Sequence, residues 1–212
     1  LYHQTPQHTK TDPYMPDTYH TIAEPSEAIF TEQRSKFLAF AHPVASPEEA
    51  KSIVKHYSDK YHDARHVCWA YMIGADRDRF LCSDNGEPSG TAGKPILGQI
   101  NSFGLTDITV VVVRYFGGIK LGTSGLIVAY REAARLAIGN ATIIECHEQT
   151  GISFTYPYMA MNDVMKTIKS PDIKILSQEF DNTCRISLSV RSDYAPALRN
   201  KLEGISGLSI LD

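Results

Sequence analysis

The chain has 212 residues, 42% of them hydrophobic, with 21 Lys/Arg against 24 Asp/Glu and a formal net charge of −3. This length fits one large or two small domains with a packed core, and the charge excludes a polyanion binder that works by bulk charge, while leaving room for a local basic groove. Cys68, Cys82, Cys146 and Cys184 form no C-x-x-C pair, which argues against a zinc ribbon or a disulfide scaffold and for reduced thiols in a cytoplasmic protein, and no apolar run reaches the roughly 18 residues of a membrane span.

Residues 1–20 are polar and aperiodic and are expected to be disordered or left over from expression, with Met15 as the natural start and residues 1–14 a remnant or an upstream extension. Ala28–Glu32 and Lys36–Val44 read as two strands joined at "EQRS". Ser46-Pro47-Glu48-Glu49 is a capping box with proline at the first helical position. Ala50, Ile53, Val54 and Tyr57 then recur at i, i+3, i+4 and i+7, an amphipathic helix. Val67–Ile73 reads as a strand, with Arg79–Cys82 as its hairpin partner across "GADRD". "SDNGEPSGTAGKP", Ser83–Pro95, is a loop, and a short helix from about Ile96 to Phe103 follows. Ile108–Val113 is an unbroken apolar and β-branched run, the mark of a strand covered on both faces. Leu126–Ile138 is alanine-rich and suits a helix packed closely on a sheet.

The pattern changes near Thr150. Ile152, Phe154 and Tyr156 alternate with polar residues as in a strand, and Met161, Val164, Met165 and Ile168 form a helical stripe. Ile173–Phe180 and Cys184–Val190 read as a hairpin across Asp181-Asn182, Leu198 and Leu202 mark a second helix, and Leu208–Leu211 a last strand. This order, β-α-β-β-α-β, is that of a ferredoxin-like domain. The expected organisation is α+β, with domains at 21–140 and 146–212 and the boundary within Leu136–Glu148. Residues 24–140 carry 13 cations and 13 acids, and residues 141–212 carry 7 and 9, yet Arg114–Arg135 holds Arg114, Lys120, Arg131 and Arg135 against Glu132 alone.

Three stretches are candidate sites. In "RYFGGIKLGTSG", Arg114–Gly125, a glycine loop leads into a helix with Thr123 or Ser124 as N-cap. A helix N-terminus favours an anion, glycines at 117, 118 and 122 let the backbone approach it, and Arg114 and Lys120 add charge. The stretch matches neither G-x-x-x-x-G-K-[ST] nor G-x-G-x-x-G. The plain alternative is a turn with positive φ at Gly117 and Gly118 and tight helix–strand packing at Gly125. In "SDNGEPSGTAGK", Asp84, Glu87, Ser89, Thr91 and Lys94 read either as a metal or substrate loop or as a turn that caps its own backbone. In "HDARHVCW", His62 and His66 stand at i, i+4 near Cys68 and Cys82, but the strand onset at Val67 speaks against a helical metal pair, and no metal or cofactor is expected.

Four of these segments, "RSKFLAFAHPV", "ARHVCWAYMIG", "DNGEPSGTAGKPIL" and "VVVVRYFGGIKLGTSGLIVAY", in this order, resemble the YigZ/IMPACT family from about Thr21 to Ile138. The resemblance implies an N-terminal domain similar to ribosomal protein S5 domain 2 and a C-terminal domain similar to elongation factor G modules. Asn85, Lys94, Ser124 and Val128 depart from the aspartate, arginine, glycine and arginine the family pattern places there. The first departure weakens a metal reading and the last a phosphate reading. The family implies a link to translational regulation but no reaction for the bacterial members.

The preferred expectation is a non-enzymatic, translation-related protein that binds RNA or ribosomal phosphates, or a translation-regulatory protein. Arg65, Lys94, Arg114 and Lys120 would contact phosphate, the Gly117–Gly125 backbone would cradle it, and Tyr115 or Phe116 would stack on a base. The alternatives are an enzyme acting on a nucleotide or small molecule, with Glu87 as general base, and a protein-interaction module that uses an edge of the C-terminal sheet.

Overall fold

The computed structural model describes residues 18–181 and 183–211, so the readings for residues 1–17 fall outside the described residues. The fold is α+β with antiparallel sheets, and the chain divides into two compact units, with the division between Glu148 and Gln149. Among the described residues no helix is long and apolar enough to cross a membrane.

The first unit is built on a five-stranded sheet of order β2-β3-β6-β4-β5, with β2 at Ser26–Glu32, β3 at Ser35–Pro43, β4 at His66–Ile73, β5 at Arg79–Ser83 and β6 at Ile108–Tyr115. Every neighbouring pair is antiparallel. The central strand β6 is buried on both faces, as its apolar run predicts, because helices cover both sides. Ile108, Val110 and Val112 face α2 (Gly93–Ser102) and α3 (Gly122–Gly139), in a core with Phe37, Cys68, Ile96 and Tyr130. Val111 and Val113 face α1 (Pro47–Lys60), in a core with Phe40, Val67 and Tyr57. Strand periodicity therefore sends Arg114 to the α2/α3 side and Tyr115 to the α1 side. Ser46 caps α1 by accepting the Glu49 N–H at 3.2 Å, and the Glu49 carboxylate reaches back to the Ala45 N–H at 2.8 Å.

Two short strands were not legible as such. β1, Thr18–Ile22, pairs antiparallel with β7, Ile143–His147. Residues 18–20 are thus part of an ordered strand rather than of an irregular N-terminal segment, and residues 146–147 pair within the first unit rather than opening the second. The physical reason is non-local pairing. The Thr106 N–H also donates to the His20 carbonyl at 2.9 Å, tying β1 to the segment after α2.

The second unit runs β8 (Gln149–Pro157), α4 (Met161–Thr167), β9 (Ile173–Glu179), β10 (Thr183–Arg191), α5 (Ala195–Glu203) and β11 (Ser209–Leu211). Its sheet has the order β11-β8-β10-β9, antiparallel throughout. Cys184, Ile186, Leu188 and Val190 are fully buried against Val164, Leu198 and Leu202, so the alternation visible in the sequence marks the helix-covered face. The edge strand β9 leaves Ile175 and Leu176 exposed.

Candidate functional site

Two glycine loops of the first unit converge on one cleft of about 360 Å³, within the size range of small-ligand sites. Glu87 and Pro88 line it from the first loop, Phe116, Lys120, Leu121, Gly122 and Thr123 from the second, and Arg65 and His66 from the start of β4. Arg114 and Leu126 complete the wall.

Arg114 follows the α2/α3 parity of β6, which lays it between Phe37 on β3 and His66 on β4 in register. Its side chain keeps only 7% of its exposure, and that of Glu87 keeps 4%. Arg114 Nη1 donates to Glu87 Oε1 at 2.7 Å, and Tyr130 of α3 donates its hydroxyl to the same oxygen at 2.9 Å. The guanidinium carbon lies 5.6 Å from the Phe37 ring centroid and 5.7 Å from that of Phe116. Arg114 is therefore not a free phosphate contact. It is half of a buried ion pair, and such a pair is stable only when its remaining polar groups also find partners. Among the described residues two of those groups lack one: Arg114 Nε is buried without an acceptor, and Glu87 Oε2 accepts no hydrogen bond.

Beneath this pair, Cys68 Sγ lies 3.3 Å from the Tyr130 hydroxyl and 3.0 Å from the Asp84 carbonyl. Burial pushes the Cys68 thiol up to about 12. Burial, with Cys68 and Glu87 beside it, also drives the Tyr130 hydroxyl well above its ordinary value, so both groups stay protonated.

The first loop uses its polar groups on itself. Asp84 accepts the N–H groups of Gly90, Ala92 and Gly93 at 2.8–2.9 Å and so caps α2 from outside the helix. Burial alone would raise the Asp84 carboxyl, but these three bonds and Lys94 outweigh it and hold it below the ordinary 3.8. The Thr91 hydroxyl donates to the Pro88 carbonyl at 2.6 Å. Asn85 donates through its amide to the Val67 carbonyl at 3.0 Å, a bond an ionised aspartate at this position could not make. Ser89, Thr91 and Lys94 line no part of the cleft.

The second loop is fixed by its backbone and leaves its polar side chains outward. A Cβ on Gly117 would collide with the backbone of Arg34 and Ser35, so glycine is required there by close approach rather than by positive φ. Gly118 does hold a positive φ of 89°. Ser35, fully buried at the start of β3, accepts the Gly117 N–H at 3.2 Å. A Cβ on Gly125 would meet only the Leu121 side chain, at 3.1 Å, and no strand, so this is not the site of tight helix–strand packing. Helix α3 begins at Gly122 rather than after the loop, which places Thr123 and Ser124 inside its first turn and not at the N-cap. Among the described residues no side chain caps α3, and no acid sits in its first turn. Its free N–H groups meet the cleft at Gly122 and Thr123, beside the exposed Lys120.

The two ring candidates separate. Phe116 is 51% exposed on the cleft, while Tyr115 packs on the α1 side and donates to Asp63 at 2.8 Å. His66 lies in β4, not on a helix with His62, and its Nδ1 is 3.0 Å from the Asn85 carbonyl. Among the described residues no three His, Cys, Asp or Glu side chains gather as a metal site. A hollow of about 690 Å³ on the second unit is lined mainly by Met165, Ile168, Pro171 and Ile175. Sequence reasoning missed Ser35, Phe37 and Tyr130 as parts of the cleft's support. Two signals were available: Ser35 precedes Phe37 by two along a strand, and Tyr130 precedes Ala133, Ala134 and Ala137 at helical spacing.

Residues 33–138 match the Impact N-terminal domain. The chain is 34% identical to "IMPACT family member YigZ" of Escherichia coli (strain K12), over 74% of this chain and 78% of that protein. It is 32% identical to an "IMPACT family member" of Haemophilus influenzae, over 84% of this chain and 88% of the relative. It is also similar to a crystal structure described as that of an hypothetical protein, with a TM-score of 0.75 and 30% identity, over 93% of this chain and 98% of the other.

Proposed function

The chain belongs to the IMPACT family, and from that premise and the geometry of its cleft we propose that it is a non-enzymatic, translation-related regulator that binds RNA through backbone phosphate. One observation carries the reading: two exposed cations, Arg65 and Lys120, converge with the uncapped first turn of α3 on the rim of a single cleft. Phosphate contacts of this kind position a nucleic acid without reading its sequence. Phe116 is the ring on this face that offers a stacking surface for an unpaired base. One oxygen of Glu87 accepts from both Arg114 and Tyr130, which supports a structural role for this side chain. Burial keeps the Cys68 thiol protonated and away from nucleophilic chemistry.

The finer fold assignments belong to the same proposal. We read the first unit as similar to ribosomal protein S5 domain 2. We read the second as a ferredoxin-like module similar to those of elongation factor G, a reading supported by its β-α-β-β-α-β order and its strand order β11-β8-β10-β9.

Anisotropy titration with short single-stranded RNA over a salt series tests the proposal. Wild type is expected to bind with strong salt dependence. Arg65→Ala/Lys120→Ala is expected to bind about tenfold more weakly, with a salt slope shallower by about 1.4 for two lost phosphate contacts. Superimposable titrations of the two proteins would overturn it. Absence of RNA binding by wild type together with capture of a translation-regulatory protein would make the surface a protein interface instead.

A further inference from the structure

We propose that the cleft takes one unpaired ribonucleotide of an RNA chain and recognises its sugar through the free oxygen of Glu87. The inference rests on the RNA-binding reading above and adds what the site discriminates.

Three observations carry it. The first is the unequal use of the Glu87 carboxylate. Oε1 accepts from both Arg114 and Tyr130, while among the described residues Oε2 accepts from no donor, on a side chain that lines the cleft and is only 4% exposed. A carboxylate oxygen held rigidly in a cleft wall selects a hydrogen-bond donor. The second is the distribution of charge. The rim supplies Arg65, Lys120 and the first-turn N–H groups of α3 for an anion, so the ligand must present a donor and an anion together. The third is size and shape. About 360 Å³ holds a single nucleotide rather than a duplex, and Phe116 supplies a ring face at its edge.

In an unpaired nucleotide the donors are the ribose 2′-hydroxyl and the amino or imino groups of the base. Only the hydroxyl is present on every ribonucleotide whatever its base, and it is the group that DNA lacks. Glu87 is thus a specificity-determining residue. Ser35, which accepts the Gly117 N–H at 3.2 Å and faces Arg114 Nη2 at 3.5 Å, is a positioning residue for the loop.

The test compares oligouridine with oligodeoxyuridine on the full chain, so the bases are identical and only the sugar differs. The expected result is RNA bound about tenfold or more tightly than DNA, the range of a hydrogen bond to a charged group. In Glu87→Gln the gap is expected to close. Should that variant fail to fold, Phe116→Ala serves, since its ring is exposed: it should weaken RNA and DNA about equally and keep the gap. Equal affinity of wild type for the two oligomers, with salt dependence intact, overturns this inference and leaves the phosphate reading standing. Binding to neither overturns both. Competition by uridine monophosphate at the same concentration as the oligomer makes the occupant a free nucleotide and overturns the assignment to RNA.

Discussion

The two glycine loops of the first unit look alike in sequence and are opposite in economy. The first, Ser83–Lys94, carries the residues that read most readily as chemistry, and three of its five candidate side chains are engaged in holding the fold. Asp84 caps α2, Thr91 closes its own turn and Glu87 is bound to Arg114. The second, Arg114–Gly125, is fixed through glycine and a buried serine and turns Lys120, Thr123 and a bare helix end outward. The contrast teaches that conspicuous polar residues in a turn serve the turn first, while availability for a ligand follows from groups the fold leaves without partners.

The contrast sorts substitutions into those that cost stability and those that cost binding. The largest effect is expected from Arg114→Ala, which strands the Glu87 carboxylate in a nearly closed site: a loss of roughly 3–5 kcal/mol in chemical denaturation. Gly117→Ala comes next. Its Cβ has no room beside Arg34 and Ser35, so a loss of about 3 kcal/mol, or displacement of the β2–β3 turn, is expected in the same assay. Asp84→Ala removes the shared acceptor of three backbone N–H groups and is expected to cost about 2 kcal/mol, with RNA affinity at permissive temperature little changed.

Asp84 also sets a pH dependence. Its folded pKa lies below the ordinary 3.8, so its contribution is complete above that value and is lost as pH falls through the lower folded one. Thermal melts between pH 5 and pH 2 should show a steeper fall for wild type than for Asp84→Asn, whose side chain does not titrate; parallel curves would mean that Asp84 is not the capping anion. The smallest stability effect, within about 0.5 kcal/mol, is expected from Lys120→Ala, which is exposed and should act on binding alone.

Much of this fold was legible. The apolar run at Ile108–Val113 announced a doubly covered strand, and alternation from Cys184 to Val190 announced the buried face of the second sheet. Parity along β6 even assigns Arg114 and Tyr115 to opposite faces. What was not legible depends on partners distant in sequence. β1 is a pentapeptide with one core side chain, Ile22, that becomes a strand only against β7, and Asp84 becomes a cap only because α2 starts nine residues later with its N–H groups turned back. The onset of α3 was hidden for a different reason: Gly122, with φ of 70°, reads as loop although it opens the helix. In the candidate site, the sequence named both loops and the cations Arg65 and Lys120, but spacing could not show that Arg114 is consumed by Glu87.

The central claim is that the second loop, not the first, is the open anion site. Amide NMR on titration with single-stranded RNA tests it most directly. The account predicts shifts concentrated at Phe116–Ser124 and at Arg65 and His66, with the amides of Gly90, Ala92 and Gly93 held unchanged by Asp84. Shifts centred on Gly90–Gly93, or confined to the second unit, would contradict it.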